Sequence, residues 1–148
     1  MKKFLYFFLF LAIPLVAHAD AGLRVVTSKF DFQTTQARLE HAVKDKGLTV
    51  FAVIDHAAGA HKAGLAMQPT VVTLFGNPKA GTPFMVAAPE AAIDFPLRIL
   101  VWQGAKDKTF IAYRPVAEIA RRFHIRDKDA LAARIDRLQQ ALAQAAAE

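Results

Sequence analysis

The chain contains no cysteine. It can therefore form no disulfide and carry no lipid on an N-terminal cysteine, and its stability must come from packing alone. It also lacks any apolar run long enough to span a bilayer comfortably: the longest, Phe4 to Val16, has thirteen residues. There are no internal repeats and no linker-like segment, which predicts one domain. Despite a formal net charge of +6, no basic run is interleaved with aromatics. Beyond the N-terminal pair, the positive residues are scattered from Arg24 to Arg137, which argues against nucleic-acid binding and for a solvated surface.

What is present begins with an address. Lys2 and Lys3 precede the apolar run, and Ala17-His18-Ala19 follows it with the small-x-small pattern that a signal peptidase accepts. Residues 1–19 are read as a cleaved secretory signal, with cleavage after Ala19. The expected product, residues 20–148, is an exported protein without stable membrane insertion, periplasmic where the cell has an outer membrane. Removing the signal takes away two basic residues and no acidic one, leaving a formal charge of +4.

Along the remainder, the pattern alternates between strand and helix. A short strand around Leu23 to Val26 leads to Asp31 as an N-cap, and a helix carries Phe32, Thr35, Leu39 and Val43 until Gly47 stops it. Leu48 to Ile54 is almost continuously apolar and reads as a buried strand. A short alanine-rich helix over 57–66 precedes a second apolar strand, Pro69 to Phe75. Thr82-Pro83 is an N-cap and N1 pair, predicting that the next helix starts there. Leu97 to Trp102 and Thr109 to Tyr113 form a hairpin, Pro115 opens a helix, and Asp127 caps a last helix through residue 147 with Leu131, Ile135, Leu138 and Leu142 on one stripe.

The dozen or so residues between the two apolar strands are near the minimum for a βαβ crossover, which would make those strands parallel. The expected fold is α+β: a two-layer domain with a mixed sheet of four to five strands, one βαβ unit, one hairpin and a long C-terminal helix. Parallel strands would bring Asp55-His56 and Gly76-Asn77 to the same edge, where open α/β sheets favour ligands.

The segment from Gly47 to His124 resembles the bacterial family named domain of unknown function 302. The resemblance rests on Ile54-Asp55-His56, Gly76-Asn77-Pro78-Lys79, Gly81-Thr82-Pro83, Pro96-Leu97 and Tyr113 taken together. It implies a small α+β domain, often exported or fused to other domains, and implies no established activity.

Three chemistries come into question at the expected edge. The segment Phe75 to Thr82 has two glycines in a phosphate-loop-like frame, but no Lys-Ser/Thr pair follows the second glycine, so nucleotide hydrolysis is unsupported. Asn77, Lys79, Gly81 and Thr82 could still hold an anion through loop amides and an ammonium, or simply turn the chain and cap a helix. His56 could serve as general acid or base with Asp55 beside it, or either residue could cap the following helix. His56 and His61 are five apart, off a shared helical face, and Met67 and Met85 read as core filler. No metal and no cofactor are expected. The leading expectation is a domain binding a small molecule or protein partner at the edge formed by Asp55-His56 and Gly76 to Thr82. One alternative is an enzyme using His56, with Lys79 and loop amides stabilising an anion. Another is a homo-oligomeric interaction module, with a homodimer as its simplest form.

Overall fold

The computed structural model describes residues 22–148; the expected signal segment lies outside the described residues. Five strands form one sheet: β1 (Arg24–Thr27), β2 (Thr49–Asp55), β3 (Thr70–Gly76), β4 (Leu97–Gln103) and β5 (Thr109–Tyr113). Their spatial order is β1-β5-β4-β3-β2, and every neighbouring pair is antiparallel. The helices are α1 (Phe32–Asp45), α2 (His56–Lys62), α3 (Pro78–Ala87), α4 (Val116–Arg122) and α5 (Asp129–Ala147). The α+β class, the five strands and the long last helix match expectation.

One face of the sheet is the core. In β3 the buried residues are Val71, Thr73 and Phe75, and in β4 they are Leu97, Ile99 and Val101, the period of two that places alternate side chains on one face. Ile111 and Tyr113 of β5 continue this layer, and Leu39 and Val43 of α1 with Ile135 and Leu142 of α5 close over it. The stripe on α5 is thus absorbed into the chain's own core. Burial pushes the Tyr113 hydroxyl pKa up.

Two buried amides tie helices to this layer. Gln36 Nε2 of α1 donates to Thr73 Oγ1 of β3 at 3.0 Å, and Gln139 Nε2 of α5 donates to the Arg114 carbonyl at 3.1 Å. Asp136, also on α5, accepts from the backbone N–H groups of Val116 and Ala117 and so caps the start of α4 from a distance. At the far end of α5, the Ala147 carbonyl accepts from Lys29 N–H, and the Ala145 carbonyl accepts from the Arg38 guanidinium. Those are the orphan carbonyls of a helix terminus, met here by other elements.

Two departures from the sequence reading matter for function. The connection from β2 to β3 is a reversal, not a crossover: Asp55 pairs with Val71 and Thr49 with Gly76. Helix α2 has only seven residues, too short to carry the chain back along the strand, so residues 63–69 simply turn it. In addition, β2 is an edge strand and largely exposed, whereas its apolar run predicted burial.

Candidate functional site

Because β2 and β3 are antiparallel, the two segments expected to share an edge sit at opposite ends of the sheet. His56 adjoins the start of β3 and Asn77 follows its end. Seven strand positions separate them, which at about 3.3 Å per residue amounts to roughly 20 Å. His56 and Lys79 therefore cannot reach one small molecule, and the constellation of Asp55, His56, Asn77, Lys79, Gly81 and Thr82 falls into two groups.

The first group is a helix start. Asp55 is the N-cap of α2, its carboxylate accepting from Ala58 N–H at 2.8 Å. His56 is the first residue of that helix and is exposed, as is His61. His41 pairs with Asp45 one turn along α1, at 2.8 Å on the surface. Among the described residues no three His, Cys, Asp or Glu side chains are grouped to hold a metal ion.

The second group is also a helix start, but five residues earlier than Thr82-Pro83 predicted. Asn77 caps α3 and Pro78 takes its first position. The Asn77 side chain accepts from Lys79 N–H at 2.9 Å, and its carbonyl accepts from Ala80 N–H at 2.9 Å and Gly81 N–H at 3.2 Å. Pro78 has no N–H to offer. Every amide of this first turn is thus accounted for, and none is left to cradle an anion. Thr82 and Pro83 lie inside the helix. Lys79 is exposed and faces a shallow depression shared with Val86 and Lys128 on the outer side of α3.

The other side of α3 encloses something the sequence reading missed. An apolar cleft of about 410 Å³ opens at the end of β3. Its lining includes Phe75 and Leu97 from the sheet and Ile135 from α5. Phe51 of β2, Met85 of α3 and Phe95 before β4 complete the apolar wall. The Phe95 ring stacks on buried Phe84 with centroids 5.9 Å apart, and its peptide bond to Pro96 is cis. Phe51 reaches the cleft from a β-bulge between Val50 and Ala52, where one extra residue re-aims the side chain. Gly81 leaves the space in front of Phe95 open: a Cβ there would stand 3.3 Å from Phe95 Cδ1.

Of the residues named from sequence, Asn77, Gly81 and Thr82 line this cleft, while Lys79, Asp55 and His56 do not. No charged side chain is among its lining residues. Its walls suit hydrocarbon or an aromatic ring. No pattern in the sequence marks the cleft, since five separate elements build it.

The fold and cleft define a small α+β domain with a ligand-sized apolar recess at one end of an antiparallel sheet. The chain belongs to the family described as domain of unknown function DUF302, whose model matches residues 24–147. It is similar to a solved structure, an uncharacterized conserved protein DUF302 from Bacillus stearothermophilus, with a TM-score of 0.76 and 18% identity. That match covers 85% of this chain and 98% of the other, and at such identity it speaks for the fold alone. Curated relatives include a protein named fluoride-specific ion channel FluC 1 from Brucella suis biovar 1 (strain 1330), 35% identical over 109 residues. Another of that name, from Brucella abortus biovar 1 (strain 9-941), is also 35% identical over 109 residues. These matches take in 74% of this chain but only 43% and 40% of the relatives, so the chain spans less than half their length.

Proposed function

We propose that this protein is an exported, periplasmic domain that binds a small, predominantly apolar molecule in the cleft between α3 and the end of β3. The observation that carries the reading is the cleft itself: about 410 Å³, walled by Phe51, Phe75, Met85, Phe95, Leu97 and Ile135, with Asn77 and Thr82 as its polar margin. Pockets for small molecules fall in this size range and combine apolar walls with a few polar groups. The N-terminal pattern of residues 1–19 supports export. Catalysis by His56 has little support, because Lys79 lies near the opposite end of the strand and the amides of α3 are occupied.

The test uses Gly81→Leu, which fills the recess in front of Phe95, where its Cβ would stand 3.3 Å from the ring. Titration with an uncharged naphthyl fluorophore should show saturable binding to the wild type and at least a tenfold loss in the variant. Replacing a helix-interior glycine gains about 1 kcal/mol, the crowding of Phe95 opposes it, and an unchanged circular dichroism spectrum shows that the variant keeps the fold. Equal probe affinity in the two proteins would refute the assignment. Mass spectrometry of molecules co-purifying from the cell envelope would then name the natural ligand.

A second reading follows from the Brucella relatives, whose names describe ion channels. In it, a domain of this family works beside an ion-transporting membrane protein. Loss of the gene should then change the fluoride sensitivity of the cells, and unchanged sensitivity would remove this reading.

A further inference from the structure

Strand β2 has the composition of a central strand in the position of an edge. Residues 49–54, Thr-Val-Phe-Ala-Val-Ile, contain no charge and no proline, two of the devices that keep an exposed edge from pairing with another chain. A third, a bulge, is present at Phe51 and leaves residues 52–54 as the regular stretch of the edge. Phe51, Val53 and Ile54 are 52%, 45% and 43% exposed. Among the described residues, the only hydrogen bonds to the backbone of these six positions come from β3. We propose that β2 is the pairing edge for a second copy of this chain, two β2 strands meeting antiparallel about a twofold axis to join two five-stranded sheets into one.

Three observations select this occupant. The first is the contrast with the opposite edge. β1 has only four residues, begins with Arg24, and runs into Lys29, whose N–H is already bonded to the Ala147 carbonyl. One edge is short and blunted, the other long and bare, so pairing at β2 closes a dimer and cannot propagate.

The second is area. Leu65 and Met67, in the return from α2 to β3 at one end of β2, are also exposed. With the three β2 side chains they leave roughly 450 Å² of exposed apolar surface per copy, taking about 180 Å² for a fully exposed large side chain. Two copies supply about 900 Å², and the strand ladder adds to this, towards the 1,200–2,000 Å² of a stable interface.

The third is self-complementarity. A strand that is apolar on both faces needs a partner apolar on both faces, and β2 itself is one. The same pairing would put the partner copy beside Phe51, which belongs to both the edge and the cleft wall.

Sedimentation equilibrium on the purified protein should show a concentration-dependent dimer. Val53→Lys and Ile54→Lys, on opposite faces of the strand, should each raise the dimer Kd at least tenfold while leaving the circular dichroism spectrum unchanged. The absence of cysteine allows a second measurement that is independent of those variants. A single spin label on Ala52→Cys should report an intermolecular distance within roughly 20 Å, since paired strands lie only about 4.8 Å apart. A wild type that stays monomeric at its highest soluble concentration overturns the proposal. So does a dimer in which the labels are far apart, or one that both folded lysine variants preserve.

Discussion

Replacing Asp136 with alanine should destabilise the protein by about 2 kcal/mol, and replacing it with asparagine by clearly less. The carboxylate sits on α5 but caps α4, accepting from Val116 N–H and, at 3.4 Å, from Ala117 N–H. Pro115, at the N-cap position itself, makes no side-chain hydrogen bond, so α4 depends on this distant acceptor. Alanine leaves the N–H of fully buried Val116 without a partner, and an unsatisfied buried donor costs about 1–3 kcal/mol. Asparagine keeps one acceptor oxygen and loses only the charge. Burial holds the Asp136 pKa above its usual value, against the lowering effect of the two N–H groups. In the window between the unfolded value, 3.8, and the raised folded value, the native state holds the extra proton. Stability from this group therefore falls as pH rises through that window and is greatest below it. Urea melts of wild type, Asp136→Ala and Asp136→Asn at several pH values read all three statements. The reasoning fails if asparagine costs as much as alanine, or if the advantage of wild type over asparagine grows as pH rises through the window.

Other expectations follow from particular contacts. Gly104→Ala should cost about 1–3 kcal/mol as an overpacked site, because a Cβ there would stand 2.7 Å from Phe110 Cε2. That ring is stacked on Trp102 with centroids 5.2 Å apart, so the fluorescence of the only tryptophan should shift as well; an unchanged spectrum and melt would contradict this. Phe75→Ala should lose about 3–5 kcal/mol, since the ring is 1% exposed and is shared by core and cleft; a thermal melt within a degree of wild type would contradict it. His56→Ala and Lys79→Ala, both exposed and outside the cleft, should each stay within about 0.5 kcal/mol of wild type. They should also leave probe binding unchanged, and a weakened Kd in either would return that residue to the site.

The periodic elements were legible in the sequence. Leu39 and Val43 on α1, Ile135 and Leu142 on α5, and the hairpin of β4 and β5 all followed from spacing and turn chemistry. Strand direction did not. A connection of this length fits either a parallel crossover or a reversal, and the choice rests on how far α2 extends before residues 63–69 turn back. The start of α3 was ambiguous for a different reason. Asn77-Pro78 and Thr82-Pro83 are both cap-and-proline pairs, and the first prevails because Asn77 satisfies three successive amides. Pro83 is then tolerated inside the helix at the loss of one backbone bond. The cleft was invisible for a third reason: its walls come from five separate elements that only the finished fold brings together.

The position of β1 has a consequence for how the molecule is made. Among the described residues its sole neighbour in the sheet is β5, with Arg24 opposite Tyr113, so the first of the five strands in chain order is matched by the last. Until then the meander from β2 to β5 can assemble by local hairpins, while the leading segment has nowhere to dock. Such long-range closure is slow compared with hairpin formation. A chain truncated anywhere before residue 109 should therefore be sensitive to proteases around β1, and resistance should arrive abruptly once β5 is included.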